Sequence, residues 1–386
     1  MFDWFKSLLT VFQSPDNSVI GVDVGSAYLK VVQLRRKGGK AILETYGSLA
    51  LGPYAGVEIG RATRLSVAKI AEAMGDLLRE ANVTTKQAAF AIPFASSLVT
   101  PIEMRVLDPK ELANAISIEA RKYVPVPISE VSLDWWIIPD EPEKVAEKTI
   151  QVDAPEAEIV SSTSQREITD EGSQTLHILI AAIHNEAMNR YQGIVKETGL
   201  ESSFFEIEIF STIRSLFTQD LEPHAVLDLG AGETKLYVID RGLMKLSHII
   251  NHGAQDITLS LSRALGISVE DAEKLKREHG LLEGGREENA TLTALLNVVF
   301  SETNRALMNF EHKFGRKVKD VLLTGGGANL KGIETVAQES CSVPVLRANP
   351  FTQVEAPAFL DDVLKGVGPE FTVAIGIAFR KLQEGA

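Results

Sequence analysis

The chain has 386 residues, 45% of them hydrophobic, and a formal net charge of −13. That length builds more than one subdomain, the acidic balance excludes a general nucleic-acid binder, which needs a basic face, and the single cysteine, Cys341, excludes a disulfide framework or a cysteine-based metal site. Mean hydropathy near zero, no apolar run of the ~18 residues a membrane span needs, and a start, Met1-Phe2-Asp3-Trp4-Phe5-Lys6, without a basic leader together read as a cytoplasmic globular protein.

In chain order, Phe2 to Phe12 has the spacing of one short amphipathic helix. With Lys6 as its one cation it reads as a docking or unstructured segment rather than a membrane-surface helix. Alternating apolar residues predict strands at 19–24, 28–35 and 41–50, the last two joined by the turn Lys37-Gly38-Gly39-Lys40. Val67, Ile70, Met74, Leu77 and Leu78 fall at helical spacing within 64–81. Strands follow at 88–92 and 97–105. Asp108-Pro109-Lys110-Glu111 then carries the cap, first-turn proline and capping-box acid of a helix start. A strand at 131–138 and its partner at 176–183 flank an acidic stretch, 139–174. It is rich in Glu, Ser, Thr and Pro and reads as a mobile insertion. A helix is expected from Asn185 to about Thr198, a strand at 204–209, and a helix from Phe210 to Phe217. Further helices fall near 254–264, 269–278, 291–314, 331–339 and 370–382, with strands at 318–324 and 343–346.

One pattern occurs twice. Val22-Asp23-Val24-Gly25-Ser26-Ala27-Tyr28-Leu29-Lys30 and Leu227-Asp228-Leu229-Gly230-Ala231-Gly232-Glu233-Thr234-Lys235 share apolar-Asp-apolar-Gly-x-x-x-x-Lys. In each, an apolar strand ends in an aspartate, turns at a glycine and returns through a lysine. A carboxylate at the end of a buried strand is costly, and two at matching places point to two halves facing one polar ligand. Gly25, Gly230 and Gly232 permit close backbone approach, so the turn N–H groups can cradle phosphates. Asp23 and Asp228 can hold Mg²⁺ through its waters. Lys30, and less clearly Lys235, can neutralise phosphate charge. One copy alone is an ordinary Asp-x-Gly hairpin; the duplication favours a nucleotide site.

These two motifs, followed by Leu322-Leu323-Thr324-Gly325-Gly326-Gly327-Ala328-Asn329, resemble the two phosphate loops and the adenosine motif of the actin-like ATPase superfamily. Within it the chain resembles the PilM family of type IV pilus assembly. The carriers are the opening residues with Val19 to Ser26; Ile116 to Pro127; Glu206-Ile207-Glu208 before Phe210; Asn349-Pro350-Phe351; and Val373 to Arg380. The acidic stretch 139–174 is longer than the family's hairpin loop.

The resemblance implies an α/β, actin-like (ribonuclease H-like, duplicated) fold, with two halves around a nucleotide cleft and a small inserted subdomain of the FtsA/PilM type. The expected divisions are a 1–18 segment, a first half at 19–84 with 185–217, the inserted subdomain at 85–184, and a second half at 218–386. That second half includes a helical subdomain at about 253–314. ATP and Mg²⁺ are the implied cofactors. Carried over by position, Gly25, Ser26, Lys30, Gly230, Gly232 and Thr234 touch phosphates, and Asp23 and Asp228 face the metal. Glu273 and Lys276 grip the ribose and adenine, and Gly326, Gly327 and Asn329 wall the adenosine. Glu208 is the candidate for orienting a hydrolytic water. Hydrolysis itself stays open, because fold does not fix activity.

The implied partner is the cytoplasmic N-terminal tail of a PilN-like inner-membrane protein, bound in a groove beside the small subdomain. Through it the protein would sit peripherally at the inner membrane and communicate with the pilus motor ATPases; self-association stays open. Phe94 and Tyr123, beside loop prolines, are candidates for that surface. The alternatives are an FtsA-like filament protein and, less favoured, a small-molecule kinase of the same superfamily or a nucleotide-free scaffold.

Overall fold

The computed structural model describes residues 18–105, 109–138, 175–218, 220–283 and 285–384. The expected Phe2–Phe12 helix, the Asp108 cap and the acidic stretch 139–174 lie outside these residues.

The chain opens with the meander β1 (Ser18–Val24), β2 (Tyr28–Lys37) and β3 (Lys40–Ala50), followed by α1 (Val67–Glu80) and β4 (Gln87–Ile92). Next come β5 (Ser97–Arg105), α2 (Pro109–Ala120), β6 (Val131–Ile138) and β7 (Thr175–His184), and then α3 (Asn185–Thr198), β8 (Glu201–Ile207) and α4 (Glu208–Leu216). A second meander of β9 (His224–Leu229), β10 (Thr234–Asp240) and β11 (Leu243–Ile250) leads into α5 (Ala254–Leu265), α6 (Val269–Glu278) and α7 (Arg286–Phe314). The chain continues through β12 (Val321–Thr324), α8 (Ile333–Ser340), β13 (Val345–Arg347), α9 (Asp361–Val367) and α10 (Thr372–Glu384).

Leu98–Asn185 forms one compact unit and the remaining described residues another. The Leu98–Asn185 unit is a three-stranded sheet, order β5-β7-β6. Its core packs Leu112, Ile116 and Ala120 of α2 against Ile102, Ile178 and Ile180 of the strands.

The larger unit contains two five-stranded sheets of identical order, β3-β2-β1-β4-β8 and β11-β10-β9-β12-β13. In each, the first three strands are antiparallel neighbours and the last two run parallel to the central strand β1 or β9. The expected duplicated actin-like architecture is therefore present. Matching hairpin chemistry builds both meanders. Gly38 and Gly39 have φ of 59° and 79°, and Arg241 and Gly242 have 53° and 75°. Positive φ at both central residues gives the tight turn whose twist matches its strands.

Of the boundaries that differ from expectation, two are explained by the chemistry of a helix start. The strand expected to run through Ile209 ends at Ile207, and helix α4 starts at Glu208, where the carboxylate sits in the favourable field of the helix N-terminus. Helix α7 starts at Arg286 rather than 291: the charged run hides the apolar period, but Glu288 accepts the Gly285 N–H at 2.7 Å and closes the helix start. Beyond that start, Leu292, Leu296, Val299, Phe300, Thr303, Leu307 and Phe310 form one buried stripe against β9 and β10 residues Leu227, Leu229, Leu236 and Val238.

The first sheet is covered by the last helix. Ala374, Ile375, Ala378 and Leu382 of α10 share a core with Val19 and Val32, together with Phe351 and Phe371. Two glycines let α10 lie flush. A Cβ on Gly21 of β1 would fall 1.9 Å from the Ala374 carbonyl oxygen, and one on Gly376 would fall 1.8 Å from that of Ser211 in α4. Backbone cannot yield as a side chain does. Gly376→Ala should therefore cost at least the ~1–3 kcal/mol of core overpacking and lower the melting temperature by several degrees. Gly366→Ala, where a Cβ meets nothing within 4 Å, should leave it unchanged in the same calorimetric scan.

Candidate functional site

Asp23 and Asp228 are the penultimate residues of the two central strands, β1 and β9. Each stands directly across an antiparallel ladder from a lysine: Asp23 from Lys30, and Asp228 from Lys235. The five-residue interval from glycine to lysine in the repeated motif creates this pairing. The chain turns at Gly25 or Gly230, and the lysine returns opposite the aspartate. The hairpins are alike in detail, since a Cβ on Gly25 would lie 2.8 Å from the Tyr28 carbonyl and one on Gly230 2.7 Å from that of Glu233.

The electrostatics of the two copies differ. Lys30 Nζ lies 3.1 Å from Asp23 Oδ2, with both side chains nearly buried. Burial works against the lysine's charge, but Asp23 and Glu370 more than offset it and hold its pKa above the ordinary value. Lys235 Nζ has two acidic partners, Glu208 Oε1 at 2.7 Å and Asp228 Oδ2 at 3.6 Å. Again burial opposes the charge; Glu208 and Asp228 overcome it and keep Lys235 protonated. Glu208 is 6% exposed and its Oε1 also accepts the Phe94 N–H at 2.6 Å. It is thus fixed both to β10, through Lys235, and to the turn after β4, through Phe94.

The two hairpins face each other: a Cβ on Gly232 would be 3.7 Å from Ser26 Oγ and 3.5 Å from the Ala62 methyl. Gly325, with φ +79°, is the one position beside Asp228 where only glycine fits, because a Cβ would fall 2.3 Å from Asp228 Oδ1. Gly326 follows it, exposed, with open space where a side chain would be. The Gly325 N–H and Thr324 hydroxyl both donate to the Pro369 carbonyl, at 2.9 and 2.8 Å.

The other expected site residues have closer partners of their own. Thr234 is buried and donates to the His252 carbonyl at 2.7 Å. Asn329 accepts from Arg347 at 2.7 Å. Gly327 packs against Leu229. Glu273 and Lys276, on one face of α6, are buried and paired with each other at 2.6 Å. Lys276 also donates to Thr258 Oγ1 at 2.8 Å and to the Ala254 carbonyl at 3.1 Å, while Glu273 accepts from Thr258 at 2.6 Å and Arg277 at 2.7 Å. Burial pushes the Glu273 carboxyl up; Lys276, Thr258 and Arg277 together bring it below the usual range. This network pins α6 to α5.

Three residues at the site carry no motif. Tyr28 lies on β2 two residues before Lys30, hence on the same face, and accepts a hydrogen bond from Arg277 of α6. Glu370, mostly buried before α10, adds a fourth carboxylate to Asp23, Asp228 and Glu208. Burial raises its pKa, against the pull of Lys30 and Arg277. The strand period could have identified Tyr28, but nothing local in the sequence marks Arg277 or Glu370. Of the two aromatics expected at a partner surface, Tyr123 is exposed, but Phe94 is buried edge-to-face on Tyr237, 5.3 Å between centroids. Its ring is held in the core by Tyr237 while its N–H donates to Glu208.

Among the described residues no three acidic, His or Cys side chains converge as a metal cage, and no helix is long and apolar enough to cross a membrane.

Removing a lysine strands buried carboxylates. Lys235→Met should cost ~3–5 kcal/mol, since both Glu208 and Asp228 lose it. Lys30→Met, with one direct carboxylate partner, should cost less. Urea unfolding of both variants beside the parent checks the order.

The family model for type IV pilus assembly protein PilM matches residues 21–169 and 165–382. The cell division protein FtsA of Agrobacterium fabrum is 27% identical over 178 residues, covering 40% of this chain and 39% of the relative. That of Neisseria meningitidis is 23% identical over 227 residues, 52% and 53% of the two chains. The chain thus spans about two fifths to one half of the length of these relatives. Among solved structures, a PilM–PilN type IV pilus biogenesis complex gives a TM-score of 0.76 at 22% identity, covering 95% of this chain and 99% of the other. The ethanolamine utilization protein EutJ of Carboxydothermus hydrogenoformans gives 0.52 at 16%, covering 95% and 90%. At these identities the structural likenesses establish the fold. With a family model that spans both five-stranded sheets and the inserted unit, the chain belongs to the PilM family of actin-like type IV pilus assembly proteins.

Proposed function

We propose that this protein binds Mg-ATP between its two sheets and, as a component of type IV pilus assembly, carries a PilN-like inner-membrane partner. The observation that carries the nucleotide reading is the doubled Asp–Lys pair, each behind a glycine hairpin, with the hairpins face to face. Phosphates fit between Gly25, Ser26, Gly230 and Gly232, where backbone is bare. Lys30 is the cation best placed for them, since Lys235 is committed to two carboxylates. In each aspartate one oxygen faces its lysine, which suits Mg²⁺ held through water and phosphate oxygens rather than in an all-protein cage. A bound Mg²⁺ would offset phosphate charge in a cleft that already contains Asp23, Asp228, Glu208 and Glu370. Gly326, Gly327 and Asn329 wall the adenosine side. For Glu273 and Lys276 to touch the ribose or base, their present hydrogen bonds must be shared with it. Glu208, with Oε1 fixed by Phe94 and Lys235, has Oε2 for orienting a water. Binding rather than turnover is the activity proposed.

The partner reading rests on family membership and on charge. A net charge of −13 attracts a tail bearing Lys or Arg over long range, with salt slowing association. Held through such a partner, the protein would sit at the inner membrane and relay nucleotide state toward the pilus motor ATPases.

Asp23→Ala and Asp228→Ala should each weaken Mg-ATP binding by about 1–3 kcal/mol in calorimetric titration. Unchanged affinity in both folded variants would remove the metal assignment. A peptide of the first dozen or so residues of the PilN-like protein should bind the full chain with micromolar Kd. Equal binding of a scrambled peptide would remove the partner assignment.

A further inference from the structure

We propose that Tyr28 and Arg277 form a clasp across the cleft that sets how fast a bound nucleotide leaves; this rests on the nucleotide reading above. The two residues belong to opposite halves, Tyr28 to β2 and Arg277 to α6. The guanidinium is used from two sides. Its Nη2 donates to the Tyr28 hydroxyl, its Nε donates to Glu273 at 2.7 Å, and its carbon lies 5.4 Å from the Tyr28 ring centroid. A charge-assisted hydrogen bond and a cation–π contact thus act on the same pair.

Both ends of the clasp are anchored. The Tyr28 carbonyl accepts the Gly25 N–H at 3.0 Å, so the ring is tied to the first glycine hairpin. Arg277 is oriented by Glu273, itself held by Lys276 and Thr258. The connection after β3 runs alongside. Gly60, at φ +89°, lies where a Cβ would be 2.7 Å from the Glu273 carboxylate carbon. The Ala62 N–H donates to Gln255 at 3.1 Å, and the Thr63 N–H to the Ser26 carbonyl at 2.8 Å. Any movement that parts the hairpins must break the Tyr28–Arg277 contact and pull on this segment. A ligand held by both hairpins leaves only after that movement, so the clasp adds to the barrier for release and little to that for encounter.

The test uses the full chain, a fluorescent ATP analogue with Mg²⁺, and the variants Tyr28→Phe and Arg277→Met. Tyr28→Phe keeps the ring and leaves Glu273 untouched, so it isolates the bond across the halves. Release after a chase of unlabelled ATP should quicken about tenfold in Arg277→Met and several-fold in Tyr28→Phe, with association nearly unchanged. In the ligand-free protein, hydrogen exchange at the Ala62 and Thr63 amides should quicken in both variants. Release as slow as the parent in both folded variants overturns the proposal, whatever the exchange shows. If the parent takes up no nucleotide, the nucleotide reading fails, and exchange at Ala62 and Thr63 alone decides whether the clasp holds the halves. Unchanged exchange then overturns it.

Discussion

A carboxylate at the end of a buried central strand must be given a counter-charge where it stands, because burial of an unpaired charge costs several kcal/mol. Here the ladder supplies it. In an antiparallel pair the residue directly opposite is the nearest neighbour across strands, and in both sheets that residue is a lysine. The pairing fixes register. A one-residue slip of β2 or β10 would turn the lysine to the other face and leave the aspartate buried alone. The glycine hairpins, the parallel neighbours β4 and β12, and the facing of the two loops follow from strands held in that register.

The two copies have diverged in what they add to the pair. The first leaves Lys30 with Asp23 as its close partner and with the more distant charge of Glu370. The second inserts Glu208 between Lys235 and the end of β4, and presses Gly325 against Asp228. Lys30 thus has one close carboxylate partner and Lys235 has two. The duplicated halves are therefore unequal, the second carrying one more acidic contact on its lysine than the first.

Most of the fold was legible because its signals are local. Alternation marked the first meander, the Gly38-Gly39 turn marked its hairpin, and the repeated Asp-x-Gly marked the equivalence of β1 and β9. The start of α4 was missed by two residues because Ile207-Glu208-Ile209 continues the alternation of a strand, while the partner that holds Glu208 at the helix start, the Phe94 N–H, lies 114 residues away in sequence. Arg277 and Glu370 escaped for the same reason. Their partners Tyr28 and Lys30 are nearby only after both halves have formed. Glu273 and Lys276 were expected, from the family resemblance, as contacts to ribose and adenine. Their closure onto Thr258 and the α5 backbone depends on how α6 packs, which spacing within α6 does not encode.

The contact of α10 with Gly21 links the order of synthesis to the order of folding. Strand β1 is among the first segments described, and the helix that seals it emerges roughly 350 residues later, a separation that slows folding by the entropy of closing so long a loop. Until then the apolar face around Val19, Val32 and Leu34 lacks its cover. The second sheet draws its core from residues 225–345, a much shorter span of chain. Its core therefore closes over shorter loops, at a smaller cost in entropy. The first sheet keeps that apolar face open until its last helix arrives, and exposed apolar strands are what make a partly folded chain prone to aggregate.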